Sequence, residues 1–416
     1  MLARHCIVRV AGHFYGHKST LGTSQRSSTR VVRGPGGAAA VRREDVLIAC
    51  PDNNVTEYIF EKIGVDLHRR PEHPLGILKN AIMDYFDETY GKNAFRMFDD
   101  LHPIVSSYEN FDSVLVPEDH VSRSKNDTYY VTADTVLRCH TSAHQLSLLK
   151  QGEKRFLVTG DVYRRDSIDA THFPVFHQME GVRVFTQDEI AGSELTGEEL
   201  ASQELKNMLE GLARHLFGEV EMRWVDAYFP FTNPSYELEI YFNGEWLEVL
   251  GCGVMETKIL NEASLVNERA WAFGLGLERL AMVLFDIPDI RLFWTDDARF
   301  LKQFKPGMFR SGGVGMQKFK SYSKYPPCYK DVSFWLPDES TFTENNLCEI
   351  VRATAGDIVE EVKLIDEFRN PKTDKVSNCF RISYRSMDRS LTDDEINELQ
   401  ETVRESLVEK LGVTLR

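Results

Sequence analysis

Residues 1–43 contain no aspartate or glutamate. They carry Arg4, Arg9, Lys18, Arg26, Arg30, Arg33, Arg42 and Arg43, with hydroxyl residues crowded into STLGTSQRSSTR (19–30) and small residues into GPGGAAA (34–40). A secretory signal needs a continuous apolar stretch, and none lies here. The composition is that of an organellar transit peptide, with a basic RNA-touching tail as the plainer alternative. No apolar run approaches the ~20 residues of a membrane span; AMVLF (281–285) is among the longest. No membrane partner is therefore expected. Seven cysteines form no CxxC pair and stand at no zinc-finger spacing from histidine. Neither a metal site nor a disulfide framework is expected from them. A GxGxxG fingerprint is also missing: GLGLERLAM (274–282) has Arg279 where the third glycine would fall, which argues against a dinucleotide site. No internal repeat is present.

What remains is acidic. The chain carries −15, and without the eight leader cations the rest stands at −23. RNA would have to find a local basic stripe on such a surface. With 416 residues, 42% of them hydrophobic, the chain can build two cores. HPLGILKNAIMDYFDETYG (73–91) reads as a helix, with Ile77, Ile82, Tyr85 and Phe86 on its apolar stripe and Gly91 at its end. RFLVTGDVYRR (155–165) and VFHQMEGVRVF (175–185) read as strands around a polar loop, DSIDATH. EELASQELKNMLEGLARHLFG (198–218) is an amphipathic helix. MRWVDAYFPF, YELEIYF and EWLEVLGCGV follow as strands, and ERLAMVLFDI (278–287) is a buried helix stopped before Pro288. Consecutive strands without βα alternation predict an antiparallel α+β domain. KPGMFRSGGVGMQ (305–317) holds five glycines or prolines and reads as a linker. Beyond it a βαββα order with a further strand suits a ferredoxin-like domain, whose last helix opens on a Thr392/Glu395 capping box. The predicted division is a leader to residue 43, a catalytic domain over 44–304, a linker over 305–321 and a small domain over 322–416. Lys318 and Lys320 in the linker, with Lys324, Lys330, Arg381, Arg385 and Arg389 beyond it, are the candidate phosphate contacts.

Strand alternation puts Phe176, Gln178 and Glu180 on one face. An aromatic, an amide and a carboxylate in a row suit a flat ring and an ammonium group; an edge strand with a solvated face is the plainer reading. The same alternation pairs His140 with Ser142 and Phe229 with Phe231; two phenylalanines on one face are more often core than pocket. Arg164 and Arg165 precede the loop, and arginine forks suit phosphates. Glu248, inside an apolar strand, needs a cationic partner, either Mg²⁺ or an arginine. Arg279, in the first turn of a helix after two glycines, suits a bound anion.

Taken in order, these segments resemble one family. FDDLHPIVSSYENFDSVLVPEDHVSR (98–123), LRCHTSAHQ (137–145), VYRRDSIDATHFPVFHQMEG (162–181), YFPFTNPSYELEI (228–240), WLEVLGCGVM (246–255) and WAFGLGLERLAMVLFDIPDIRLFW (271–294) resemble phenylalanine–tRNA ligases of the monomeric organellar type, within the class II synthetases. The likeness runs from about residue 45 to the C-terminus, and the DATH…FHQMEG and GLGLERLAM…DIPDIR strings are its most specific parts. The wording is nearest the plant or algal branch, which implies mitochondrial matrix, chloroplast stroma or both. SKYPPCYKDVSFW (323–335) is similar to the start of that family's ferredoxin-fold anticodon-binding domain. The resemblance implies that His140, Ser142, Ala143, His144, Gln145, Gln178, Met179 and Glu180 line the amino-acid end of the site, with Gln178 and Glu180 holding the ammonium group. It implies that Phe229 and Phe231 pack on the phenylalanine ring, and that Ala272, Phe273 and Gly274 floor the pocket. Arg164 would contact the ATP α-phosphate and the carboxylate being activated. Thr171, His172 and Phe173 would close over ATP, Phe176 would stack on adenine, Arg279 would grip the ATP tail, and Glu248 would serve ATP and its Mg²⁺. The partners implied are phenylalanine, ATP and tRNA(Phe), and the state implied is a monomer, although HPIVSS (102–107) lies where relatives in the class form dimers. Nothing of domain size is left for an editing site. A non-catalytic synthetase-like RNA-binding protein should have lost a substrate contact, and a ligase for another acid, such as a biotinyl ligase, would not need the C-terminal domain. Removing residues 322–416 is expected to spare adenylate formation and abolish charging.

Overall fold

The central feature is a seven-stranded sheet in the order β1-β5-β6-β10-β9-β8-β7. Its strands are β1 (Arg96–Phe98), β5 (Arg155–Tyr163), β6 (Val175–Phe185), β7 (Glu221–Phe229), β8 (Thr232–Phe242), β9 (Glu245–Met255) and β10 (Arg269–Gly276). All neighbours are antiparallel except β1 and β5. A small sheet pairs β2 (Ile104–Ser106), β4 (Thr135–Leu137) and β3 (Tyr130–Thr132). The computed structural model describes residues 41–416 except 314–316, 323–324, 338–341 and 388. The proposed leader up to residue 40, with Cys6, and the candidate Lys324 lie outside the described residues.

Three helices cover one face of the large sheet. Helix Pro74–Tyr90 starts on proline behind the His73 cap and ends at Gly91, which has a positive φ. Helix Gly197–Phe217 opens on a full capping box, in which Thr196 and Glu199 satisfy each other's backbone donors. Helix Leu277–Phe285 follows β10 directly. Their apolar stripes bury Leu78, Ile82, Leu205, Leu209, Leu280 and Phe285 against the sheet. The opposite face is apolar only at one end, where Val158, Val182, Val184, Ala270 and Ala272 pack under Leu146 and Leu149. The rest of that face is left for the site.

The C-terminal sheet has the order β12-β13-β11-β14, built from β11 (Cys328–Trp335), β12 (Val359–Arg369), β13 (Val376–Tyr384) and β14 (Thr414–Leu415). With helices Glu344–Ala355 and Asp393–Leu411 it forms the ferredoxin-like arrangement. The Thr392 cap is present, but only half of its box forms: Thr392 accepts from the Glu395 N–H, while the Glu395 carboxylate turns to Arg389. An arginine outcompetes the cap because it brings a full charge.

The glycine- and proline-rich segment is not a free tether. Phe309, Phe319 and Tyr322 pack on the large core, the Phe319 N–H donates to the Phe285 carbonyl at 2.6 Å, and Lys318 donates to the Leu284 carbonyl. Its aromatics, rather than its glycines, decide its behaviour. The described residues accordingly form one compact unit.

Candidate active site

The open face of the sheet is shaped by missing side chains. Val158, Glu180, Gly274, Gly251 and Glu237 stand side by side across five strands. The two glycines leave a trough between the two carboxylates. A Cβ on Gly274 would meet no atom within 4 Å, whereas one on Gly251 would strike the Phe229 ring at 2.7 Å. The trough is thus open above Gly274 and walled by Phe229. Phe231 stacks on Phe229 with ring centroids 5.9 Å apart and packs against the clusters that hold Ala143 and Ala272. The phenylalanine pair therefore forms a wall rather than vanishing into a core. It sits at the β7–β8 hairpin, where Phe229 pairs with Thr232.

At the other end, β6 is a central strand and not an edge. Phe176, Gln178 and Glu180 share the open face, as their alternation predicts. Ser142 donates its hydroxyl to Glu180, Thr141 does so at 3.5 Å, and the Thr141 N–H reaches the Gln178 amide oxygen at 3.4 Å. The second Glu180 oxygen, both Gln145 amide atoms and His140 Nδ1 are buried without partners. Buried polar atoms normally have partners, so this cluster has hydrogen-bonding capacity to spare. Burial raises the Glu180 carboxyl to about 7, against the Ser142, Gln145 and Thr141 side chains that lower it. The His140 ring is pushed down to about 4 by burial and then by the Arg164 charge, so it is neutral.

Two arginines, Arg164 and Arg279, stand nearby. Arg164 donates through Nε to the Cys139 carbonyl at 2.9 Å, and its guanidinium lies 5.2 Å from the Phe176 ring centroid. Arg279 meets Glu248 at 3.2 Å, both well exposed. Arg279 supplies Glu248 with one cationic partner. Glu237 and Glu239 lie beside it, and the Glu237 carboxyl is raised by burial and by the charges of Glu248 and Glu239. Among the described residues no group of three or more His, Cys, Asp or Glu side chains is set to cage a metal. Thr171 and His172 are exposed on the loop, where Asp169 accepts from both backbone N–H groups at 2.7 and 2.9 Å.

Four side chains lie elsewhere than the resemblance implies. Met179 and Phe273 point to the helix-covered face and belong to the large core, because they alternate with Glu180 and with Ala272 and Gly274. Phe273 fills the space over Gly181, where a Cβ would lie 2.2 Å from its ring. Phe173 is buried against Trp294, with centroids 5.4 Å apart. His144 turns beneath the pocket and accepts from Arg138 at 2.9 Å; burial lowers its ring to about 3.

Two buried supports escape a sequence reading. Arg138 runs along β5 where β1 has ended, donating to the Asp161 carbonyl and carboxylate at 2.6 Å. Tyr163 donates to the same carboxylate. Gly160 makes room, since its Cβ would lie 2.1 Å from the Arg138 guanidinium. The second support is Glu278, which accepts from the His177 N–H at 2.8 Å and meets His177 Nδ1 at 2.7 Å. Gly276 is the last β10 residue paired with β6, so the next β6 donor has no strand partner and Glu278 supplies one. No local pattern marks either pair; only the neighbourhood of Glu278 to Arg279 hints at the second.

With this geometry in view, two family descriptions match. "tRNA synthetases class II core domain (F)" covers residues 64–304, and "Ferredoxin-fold anticodon binding domain" covers 323–416. The chain is 64% identical over 381 residues to the chloroplastic/mitochondrial phenylalanine–tRNA ligase of Arabidopsis thaliana, covering 92% of this chain and 87% of that protein. It is 50% identical to the mitochondrial enzyme of Dictyostelium discoideum (88% and 90% covered) and 48% identical to that of Mus musculus (86% and 85%). Both lobes and nearly the whole length are shared, and the chain belongs to the organellar phenylalanine–tRNA ligases of the class II aminoacyl-tRNA synthetases.

Proposed function

We propose that the chain joins phenylalanine to tRNA(Phe) in two steps, as a monomer, in mitochondria, chloroplasts or both. The observation that carries the reading is the trough above Gly274, with unsatisfied carboxylate and amide atoms at one end and the Phe229–Phe231 wall at the other. An α-amino acid with an aromatic side chain presents the matching groups in that order. Glu180 and Gln178 take the ammonium group, and Phe229 and Phe231 the ring. Arg164 takes the carboxylate and the α-phosphate, which brings the two reacting groups together. Phe176 takes the adenine, and Arg279 the phosphate tail. Thr171 and His172 complete the ATP side from the loop.

No protein nucleophile is needed. The carboxylate oxygen of phenylalanine attacks the α-phosphorus and pyrophosphate leaves; a terminal ribose hydroxyl of the tRNA then attacks the adenylate carbonyl, and the acyl–phosphate bond breaks to release AMP. The chain's own contribution is positioning and charge stabilisation by Arg164 and Arg279. Mg²⁺ binds mainly through phosphate oxygens with one or two carboxylates. Glu248 and Glu237 fit that need: burial first, and then the charges of Glu248 and Glu239, raise Glu237, and a cation would relieve the repulsion. A divalent metal held there would neutralise polyphosphate charge.

Pyrophosphate exchange assayed amino acid by amino acid tests the reading. Phenylalanine should support exchange and biotin should not; a silent chain would favour a binding protein. Arg279→Ala should abolish exchange while the fold survives, since an exposed ion pair contributes ~0–1 kcal/mol. A folded variant with normal exchange would remove Arg279 from the mechanism.

A further inference from the structure

We propose that Ile168 and Arg352 are positioning residues for ATP, through which the C-terminal domain sets ATP affinity even with no RNA bound. The inference rests on the reading that Thr171 and His172 face ATP. Their loop leaves β5 after Tyr163 and returns at Val175, so its backbone lacks strand partners. Buried backbone groups need partners, and the C-terminal domain supplies them. Asn345 donates to the Arg165 carbonyl at 3.2 Å. One Arg352 nitrogen serves the Asp166 carbonyl at 2.9 Å and the Ser167 carbonyl at 3.2 Å. The Val362 N–H donates to the Ile168 carbonyl at 3.0 Å.

The side chains go further. Ile168 is 7% exposed and belongs to the apolar core of the C-terminal domain, with Val362, Cys348 and Tyr384. A residue of the ATP loop is thus a core residue of the other lobe. Arg352 is buried and paired with Glu349, which accepts from the Tyr129 hydroxyl at 2.6 Å. A buried charge with fixed partners has little freedom to move. Beyond Ile168 there is no slack before the ATP residues. Asp169 holds Thr171 and His172 through their backbones, and the Ala170 carbonyl accepts from the Ile290 N–H at 2.9 Å. The phenylalanine pocket stands on β6, β9 and β10, whose positions the sheet determines. Loosening the clamp should therefore move ATP and leave phenylalanine alone.

The test is pyrophosphate exchange by the full chain without tRNA, for Ile168→Ala, Ile168→Val, Asn345→Ala and His172→Ala. Ile168→Ala should raise KM for ATP about tenfold with KM for phenylalanine unchanged, and Ile168→Val should restore most of the loss. Asn345→Ala, a milder cut, should give a smaller rise and keeps the test open should Ile168→Ala fail to fold. An unchanged KM for ATP in the folded clamp variants, beside a raised one in His172→Ala, would overturn the clamp and leave the loop reading standing. No effect in any variant, His172→Ala included, would overturn both. Equal rises for ATP and phenylalanine would reduce the contact to general stability and overturn the positioning role.

Discussion

Glu180 is where burial and charge conflict most directly. Its carboxyl is raised from 4.5 to about 7 by burial, so the folded chain holds a proton that the unfolded chain has released. Stability from this group is full below the ordinary carboxylate pKa and falls as pH rises through the interval to about 7, by about 3 kcal/mol at most. Denaturant titrations at pH 5 and 8 should show that loss, and Glu180→Gln should remove it. Phenylalanine brings an ammonium group that favours the carboxylate form. Its binding near pH 6 should release a proton, which calorimetry in buffers of different ionisation heat would detect; no release would move the ammonium contact elsewhere. Gly274→Ala should fold normally, because nothing stands where the new methyl goes, yet raise KM for phenylalanine by about tenfold or more by occupying the trough. An apolar pocket rejects an added hydroxyl by only about a hundredfold. Ala272 is 3% exposed and in the cluster that Phe231 packs on, and in the proposed pocket it would bound the ring's far side. Ala272→Gly should lower the phenylalanine-to-tyrosine ratio of kcat/KM; an unchanged ratio would relocate the floor. Hydrolysis of tyrosyl-tRNA, measured alongside, would reveal an editing activity if one is present.

Among the elements, β6 and the helix Leu277–Phe285 are joined by Glu278. Phe176 and Gln178 flank His177, and Arg279 follows Glu278, so one carboxylate would keep the proposed adenine and phosphate contacts in register. Glu278→Ala should leave buried His177 donors unpaired and cost about 3 kcal/mol, read by urea denaturation. It should also raise KM for ATP more than KM for phenylalanine, and Glu278→Gln should recover part of both. An unchanged KM for ATP would confine Glu278 to stability. The long elements were legible from periodicity and caps. Helices 74–90 and 197–217 and strands 155–163 and 175–185 lie within two residues of their predicted ranges. Strand β10 was missed because WAFGLG has two glycines and runs into a helical pattern; what makes it a strand is its pairing with β6 and β9. The three short strands β2, β3 and β4 each have three residues, too few to show a period.

At the scale of the whole molecule, the basic candidates for tRNA contact are mostly engaged already. Lys318 serves Leu284, Lys330 serves Asn397, Arg381 pairs with Asp331, Arg385 with Glu360 and Arg389 with Glu395; Lys320 is exposed. Phosphates must compete for these cations, and the acidic remainder repels RNA. Binding of tRNA(Phe) should weaken as salt rises, with a log–log slope of about one unit or less per phosphate contact; salt-independent binding would rule out electrostatic contact. The expectation that residues 322–416 can be removed without affecting adenylate formation now meets the docking of Ile168, Asp166 and Ser167 on that lobe. Truncation should weaken ATP use as well as abolish charging, and a truncated chain with normal KM for ATP would show the lobes to be independent.

Local chemistry decided what the sequence could reveal by itself. Alternation along β6 set Phe176, Gln178 and Glu180 on one face, hydrophobic period and caps set the long helices, and motif wording pointed to the family. These are properties of neighbours in the chain. Tertiary structure alone decided that β6 is central, that Met179 and Phe273 face the helix-covered core while Ala272 and Gly274 lie on the opposite face, and that Glu248 pairs with Arg279. It alone placed Arg138 on Asp161, Glu278 on His177 and Ile168 in the core of the other lobe. Each of these joins residues far apart in the chain, and a buried charge or apolar side chain declares its need for a partner without naming it.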